Sequence, residues 1–458
     1  MRSPAVPDPL MAPPPGVRRA AGPPRAGLHP ARAMAADNRY WKRPFGEERA
    51  TCPDTVDDMT AAITRPHHPR HHAGGTPWAA ARALAHRVAE PLGLVEVPLT
   101  GAAGRTLARP LAAAVDLPGF DNAAMDGYAV RGDGPWRVVG GVLAGGPGAA
   151  PLAPGEAVEI ATGAPVPAGA DRVVPYEVVA RHGAVVSASG DGAGKRHIRR
   201  AGEYVTAGRP VLPAGSVLTA AALGLAASVG VDVVTVRRAP TVRLLLTGDE
   251  IVTAGTPAHG QVRDAIGPTL TALLRAWSAD LVDVRWTPDH PAAVTAAAVE
   301  RSLSDVDVTV VGGASSVGPA DALHDVLTTA GATIHVDGVD CRPGHPQVLA
   351  SRAGHWLVGL PGNPYAAMVA AFTLLQPLLA GLAGRTLPAL PRVCLDGTPR
   401  VHATATSIVP VRWDGAAPSV VDGARPGHLG AAALADALAV VPPAWRPGET
   451  VELLLLPQ

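Results

Sequence analysis

Three stretches of this chain join an apolar run to a polar, glycine-bearing turn, and each has the equipment to hold a charged ligand. Val242-Arg-Leu-Leu-Leu246 runs into Thr247-Gly248-Asp249-Glu250. Val306-Asp-Val-Thr-Val-Val311 runs into Gly312-Gly313, with Ser315, Ser316 and Asp321 beyond. His355-Trp-Leu-Val358 runs into Gly359-Leu-Pro-Gly-Asn-Pro364. Glycine lets a ligand approach the backbone closely. Gly362 and Asn363 precede Pro364, which reads as the start of a helix whose first amides are donors for an anion. A fourth acid, Asp264, precedes Gly267-Pro268 and another helical run. Glu250, Asp264 and Asp321 are hard oxygen donors of the kind Mg²⁺ takes together with ligand phosphates. An Asp near a helix start is more often a cap than a catalyst. Four such loops in one domain nonetheless point to a phosphate- or nucleotide-bearing ligand with a hard cation. No P-loop motif and no nucleophile–His–acid set is present in the sequence.

A second candidate lies upstream, in Phe120-Asp-Asn-Ala-Ala-Met-Asp-Gly-Tyr128. Spacing alone leaves it open between a functional loop carrying Asp121 and Asp126 and an ordinary Asx turn between strands. His67, His68, His71 and His72 stand among prolines and arginines in a polar stretch and read as an incidental His-rich tract rather than a metal site.

Loops of this kind need rigid elements behind them. At 458 residues and 47% hydrophobic residues the chain can fill several cores, with Ala, Val and Leu doing most of the packing because aromatics are 3%. Residues 1–75, rich in Pro, Arg and Ala, show no period that could bury a face and read as disordered, with Met34 and Met59 as alternative starts. Order is expected from Thr76, an N-cap, with Pro77 at the first helical position. Residues 111–179 carry short apolar runs broken by Gly and Pro, the pattern of a small β-rich module. From 242 to about 382, strand, turn and helix alternate, which predicts a parallel sheet covered on both sides. β-like runs resume beyond Pro388. The 39 basic and 39 acidic residues cancel, giving no electrostatic case for nucleic acid or an anionic membrane. Three scattered cysteines exclude a disulfide framework and suit a reducing compartment. With neither an uninterrupted apolar span nor a secretory signal, a cytoplasmic protein is expected.

The loop from Phe120 to Tyr128 closely resembles the signature of the MoeA and gephyrin-E proteins, the molybdopterin molybdenumtransferase family. Further segments follow in that family's order: Ile160-Ala-Thr-Gly-Ala-Pro165 with Gly169-Ala-Asp171, Arg199-Arg-Ala-Gly-Glu203, Leu212-Pro-Ala-Gly215, Thr247-Gly-Asp-Glu250, 312–321, Arg342-Pro-Gly-His-Pro346 and Gly359-Leu-Pro-Gly-Asn-Pro364. The resemblance covers about residue 77 to the C-terminus. It implies a multidomain α/β and β fold: an elongated four-domain subunit with a doubly wound, MogA-like α/β domain and a C-terminal β domain. The implied boundaries are a split domain I (76–116 and 199–239), a β-rich domain II (117–198), a molybdopterin-binding domain III (240–386) and domain IV (387–458), after the tail of 1–75. It also implies a homodimer that takes adenylylated molybdopterin and molybdate, inserts molybdenum and releases AMP with Mg²⁺. Contacts with a molybdopterin adenylyltransferase and with molybdoenzymes are implied as well. On this basis Asp126, Glu250 and Asp321 are the catalytic candidates. Glu250, Asp264 and Asp321 are the metal ligands, and Thr162, Gly312, Gly313, Ser316, Arg342, His345, Gly362 and Asn363 bind substrate.

The departures from the family pattern cluster on the side that would hold molybdate. Its Lys-Pro-Gly-Lys-Pro segment is Arg342-Pro-Gly-His345-Pro here, and Arg and His do not reproduce an ammonium. The acid after Gly-Glu is Tyr204, Asp-Ser-Asn is Asp264-Ala-Ile266, the Ser after Asn-Pro-x is Ala366, and a serine of domain IV is Pro426. Fewer cations and hydroxyls predict weaker oxyanion binding. A non-catalytic molybdopterin carrier is therefore the alternative to an active transferase. An enzyme of the same α/β lineage acting on another nucleotide is a third reading, which leaves the other domains unexplained.

Overall fold

The computed structural model describes residues 75–457 apart from 190–194, 289–295, 298, 302–304, 314–322 and 414. The expected tail up to residue 74, its histidines, Ser316 and Asp321 lie outside the described residues.

The first ordered residues depart from expectation. Thr76–Pro77 is a short strand, parallel to Val339–Arg342, and the Thr76 amide donates to the Gly338 carbonyl at 3.0 Å. Thr76 is therefore held in a sheet and does not cap the helix, which runs Trp78–Arg87 behind Pro77. Residues 95–117 and 205–236 then share one core: Leu107 and Leu111 pack with Leu218, Val234 and Val236. Between them a six-stranded sheet is ordered Arg172–Pro175, Gly127–Val130, Glu156–Ile160, Trp136–Val142, Val185–Ala188, Val179–His182. Its two faces bury separate clusters, Ala129 and Val158 on one side, Tyr128 and Trp136 on the other.

The α/β part holds a second six-stranded sheet. Asp280–Thr287, Thr241–Thr247, Val308–Gly312 and His355–Leu360 are parallel neighbours. Sequence periodicity missed the next two strands, Val348–Arg352 and Thr333–Asp337, which are antiparallel and finish the sheet. Alternation along the strands sends side chains to opposite faces. Leu244, Leu246 and Val310 meet Leu270, Leu274 and Phe372 on one face; Leu245 and Val311 meet Leu323 and Leu327 on the other. Helices thus cover both faces, as a doubly wound sheet requires.

At the strand starts Asp307 ties the sheet together. It accepts both guanidinium nitrogens of Arg238 at 2.7 Å, and the Thr241 amide and hydroxyl at 2.7 Å each. Its carbonyl takes the Trp356 amide at 2.8 Å.

The longest helical stretch, residues 364–382, is apolar all round, and 94% of its apolar window is buried. Such a helix has no solvent face and must be enclosed. It is the one helix among the described residues long and apolar enough to cross a membrane, but its surroundings are protein. The helix Trp78–Arg87, the α/β sheet and the C-terminal sheet (Ile408, Leu438, Leu454) all pack into its core. Ala371–Leu375 is a π-turn, which displaces regular backbone pairing. Buried Arg82 donates to the Phe372 carbonyl at 2.7 Å, and Trp78 Nε1 donates to Thr373 Oγ1 at 3.0 Å. Burial lowers the Arg82 pKa to about 10. Just beyond the helix, Arg385 donates to the Gly104 carbonyl, to Thr106 Oγ1 and to the Trp277 carbonyl.

The C-terminal sheet is ordered Thr76–Pro77, Val339–Arg342, Thr406–Arg412, Ala437–Val441, Thr450–Leu455, Arg392–Cys394, with Ser419–Val420 branching from Thr406–Arg412. Strand Val339–Arg342 leaves the α/β part to join it, pairing Cys341 with Thr406 and Arg342 with Ser407. Burial pushes the Cys341 thiol up to about 12.

Burial pushes Asp307 up, but its bonds from Arg238 and Thr241 outweigh that and hold it below the usual carboxylate range. A depressed folded-state pKa gives stability present above the unfolded value near 3.9 and lost as pH falls through the folded one. Asp307→Asn is expected to cost about 2 kcal/mol at pH 7. The gap to the wild type should close below about pH 4, as read from urea midpoints across pH.

Candidate active site

The carboxyl ends of the three central strands meet through glycine. Thr247, 3% exposed, donates from Oγ1 to the Gly312 carbonyl at 3.2 Å. Gly313 has φ +97°, and a Cβ there would lie 2.6 Å from the Thr247 carbonyl. Only glycine fits that conformation and that gap. A Cβ on Gly362 would lie 3.5 Å from the Gly313 Cα. Thr247, Gly313 and Gly362 are therefore stacked edge to edge, bringing all three loops together at the place where such sheets bind ligands.

The acids sit at the first loop. Glu250 and Asp264 flank the two-residue ladder Ile251–Val252 with Val262–Arg263. Glu250 is exposed and lies against Gly248, where a Cβ would come within 2.7 Å of its Oε2. Asp264, the residue before the N-cap Ala265, accepts the Gly267 amide on Oδ1 at 2.8 Å and so satisfies a first-turn amide of the helix Ile266–Ala276. Among the described residues no group of three or more His, Cys, Asp or Glu forms a metal cluster. Glu250 and Asp264 carry the hard oxygens that a cation takes together with ligand phosphates and water.

At the third loop one expectation fails. The first amides of the helix are not free for an anion: Tyr365 and Ala366 donate to the Pro426 carbonyl at 2.9 and 3.3 Å. The segment holding Pro426 lies against the helix start, because Gly427 leaves room for Asn363 Oδ1. Beside this seam opens a cleft of about 680 Å³, lined by Arg342, His345, Asn363, Ala366, Arg400, His402, Ser407, Asp422, Arg425 and Pro426 among others. Three arginines face one aspartate. Arg400, His402 and Arg425 had no signal of their own in the sequence. Loops supply all three; the pairing of Val339–Arg342 with Thr406–Arg412 and the seating of Pro426 on the helix start bring them to the Arg342–Pro346 turn.

The histidine tautomers follow from their partners. His345 Nδ1 faces the Val339 carbonyl at 2.7 Å and so carries a proton. His402 Nδ1 accepts amides from Thr404 and Ala405 at 3.3 and 3.1 Å, which leaves the proton of the neutral ring on Nε2, a donor.

Asp126 and Thr162 belong to the other six-stranded sheet, whose clusters contain no residue of the α/β part. Asp126 is no Asx turn: its Oδ1 accepts the Thr162 amide at 2.7 Å, from the turn that follows strand Glu156–Ile160, 36 residues away. Asp121 takes the Ala201 amide at 2.8 Å and Arg200 at 2.5 Å, and these bonds hold it below the usual carboxylate range.

Residues 76–230 match the model of the MoeA N-terminal region (domain I and II), and residues 243–381 match that of a probable molybdopterin binding domain. The chain is 35% identical over 294 residues to the molybdopterin molybdenumtransferase of Haemophilus influenzae, covering 63% of this chain and 72% of the relative. It is 36% identical over 304 residues to that of Synechococcus elongatus, covering 63% and 75%. The chain belongs to the molybdopterin molybdenumtransferase family. The family fold is also that of a molybdopterin biosynthesis moeA protein from Pyrococcus horikoshii, matched at TM-score 0.68 with 21% identity over 83% of this chain and all of that one.

Within this molybdenumtransferase-family site the two possible roles of Asp264 separate experimentally. Asp264→Ala should cost about 1 kcal/mol as a lost cap, while Asp264→Asn, which still caps, should stay within about 0.5 kcal/mol. Urea unfolding measures both.

Proposed function

We propose that the chain is a molybdopterin molybdenumtransferase, inserting molybdenum from molybdate into adenylylated molybdopterin and releasing AMP. The observation that carries this reading is a continuous run of contacts from the acids to the cationic cleft. Glu250 lies on Gly248, beside Thr247; Thr247 meets Gly313, Gly313 meets Gly362, and Asn363 opens onto the arginines. A ligand with phosphates at one end and an oxyanion to receive at the other fits that run.

Glu250 and Asp264 would hold Mg²⁺, with Asp321 as a third acid, and the metal would offset charge on the phosphoanhydride. Gly312, Gly313 and Gly362 let the nucleotide reach the strand ends, with Ser316 as a hydroxyl donor beyond them. Arg342, Arg400 and Arg425 supply charge for molybdate, and His402 supplies a ring donor from Nε2, while His345, its Nδ1 proton held by the Val339 carbonyl, lines the cleft beside Arg342. The cleft therefore replaces the family's lysines with groups drawn from both sides of the seam. Asp126, anchored on the Thr162 amide, completes the substrate site from the β-rich module. Because that module shares no core with the α/β part, a second copy in a homodimer is the natural source of its contribution. The buried, free Cys341 suits work in the reducing cytoplasm.

Purified protein incubated with adenylyl-molybdopterin, Mg²⁺ and molybdate should yield AMP and active cofactor together. Ligand binding with neither product overturns the reading and leaves a carrier. Asp126→Ala and Glu250→Ala should each slow AMP release about 100-fold or more. Arg342→Ala or Arg400→Ala should raise the molybdate needed for half-maximal insertion about tenfold.

A further inference from the structure

One end of the β-rich sheet carries more than Asp126 and Thr162. Gly127 pairs with Pro175 on one side and Ile160 on the other, and Ile160 pairs in turn with Val142. Tyr176, Asp126 and Leu143, just past these positions, and Thr162, two past Ile160, therefore follow one another along a single sheet end. Two polar groups are flanked by two apolar side chains, Tyr176 at 44% and Leu143 at 73% exposure. From first to last is about 14 Å, three interstrand spacings.

Tyr176 is held as few exposed aromatics are. Its amide donates to the Asp126 carbonyl at 3.3 Å. Its hydroxyl donates to Glu159 Oε1 at 2.7 Å, and its ring meets Tyr128 edge to face at 5.4 Å. Arg181 closes the network, donating to Glu159 Oε2 and to the Tyr128 hydroxyl at 3.1 Å each. Desolvation and the bond to Glu159 keep the Tyr176 phenol protonated, above its ordinary range. A ring fixed at its tip and edge has little rotamer freedom left to lose on meeting a ligand.

We propose that Tyr176 is a stacking platform that receives a planar heteroaromatic ring of the substrate beside Asp126. This rests on the reading of Asp126 and Thr162 as part of a pterin-nucleotide site. Stacking on a rigid aromatic is tolerant of base identity and strong enough to matter, while Asp126 and the Thr162 hydroxyl meet the ring's polar edge.

Full-length protein can be titrated by equilibrium dialysis with AMP, with a soluble pterin and with ribose 5-phosphate. Tyr176→Leu should weaken at least one ring-bearing probe about tenfold and leave ribose 5-phosphate unchanged, and Tyr176→Trp should restore the loss. The probe that responds identifies the ring. Equal losses for all three probes, or none, overturn the proposal. So does a weaker self-association in sedimentation with unaltered ligand binding, which would make Tyr176 a contact between copies. Asp126→Ala separates the two levels. If it leaves every probe unaffected, the site reading fails and the stacking with it; if it abolishes binding that Tyr176→Leu leaves intact, only the stacking fails.

Discussion

A helix with no polar face cannot be left at a surface, and the enclosure of residues 364–382 organises much of this molecule. Three separate pieces of chain supply the walls: the helix Trp78–Arg87, the α/β sheet and the C-terminal sheet. Each wall costs conformational entropy to place, and the apolar area removed from water offsets it. The π-turn at Ala371–Leu375 adds a local demand, met by a buried guanidinium on the Phe372 carbonyl. The cost of burying Arg82 is offset by its bonds to the Phe372 carbonyl, Gln376 Oε1 and the Pro388 carbonyl.

The candidate site inherits its geometry from that enclosure. The helix starts at the third strand-end loop, so whatever packs on its first turn faces the ligand. Here that is the Pro426 carbonyl, which occupies two amides and removes the helix start from anion binding. On the proposed function, oxyanion recognition falls to side chains across the seam. Arginines supplied by one strand end and two loops can surround a tetrahedral anion with planar, bidentate donors. Glu250 and Asp264 lie by the first loop, at the other end of the run through Thr247 and Gly313.

Much of this was legible in the residues. Long apolar runs ending in glycine announce parallel strands and their ligand loops, and Asp264 before Gly267-Pro268 announces a cap. What stayed hidden depends on partners distant in sequence. Thr76–Pro77 and Val339–Arg342 are too short to carry a period and exist as strands because they pair with each other. The antiparallel strands Thr333–Asp337 and Val348–Arg352 were masked by the expectation of an all-parallel sheet. Arg400 and His402 sit in loops without pattern, and the substitution of lysines by Arg342 and His345 looked like lost charge until the fold placed new donors beside them. The Asp126–Thr162 bond spans 36 residues, which no local rule could supply.

The same helix sets a limit on how such a chain can vary. Its start is fixed by Pro426 and, just past its end, Arg385 is fixed to Gly104, Thr106 and Trp277. Each residue advances a helix by about 1.5 Å and turns it by about 100°. Deleting or inserting one residue would swing Arg385 away from all three acceptors while the first turn stayed in place. Surface loops can lengthen or shorten at little cost, but in this segment a change of one residue would break the contacts at one end or the other.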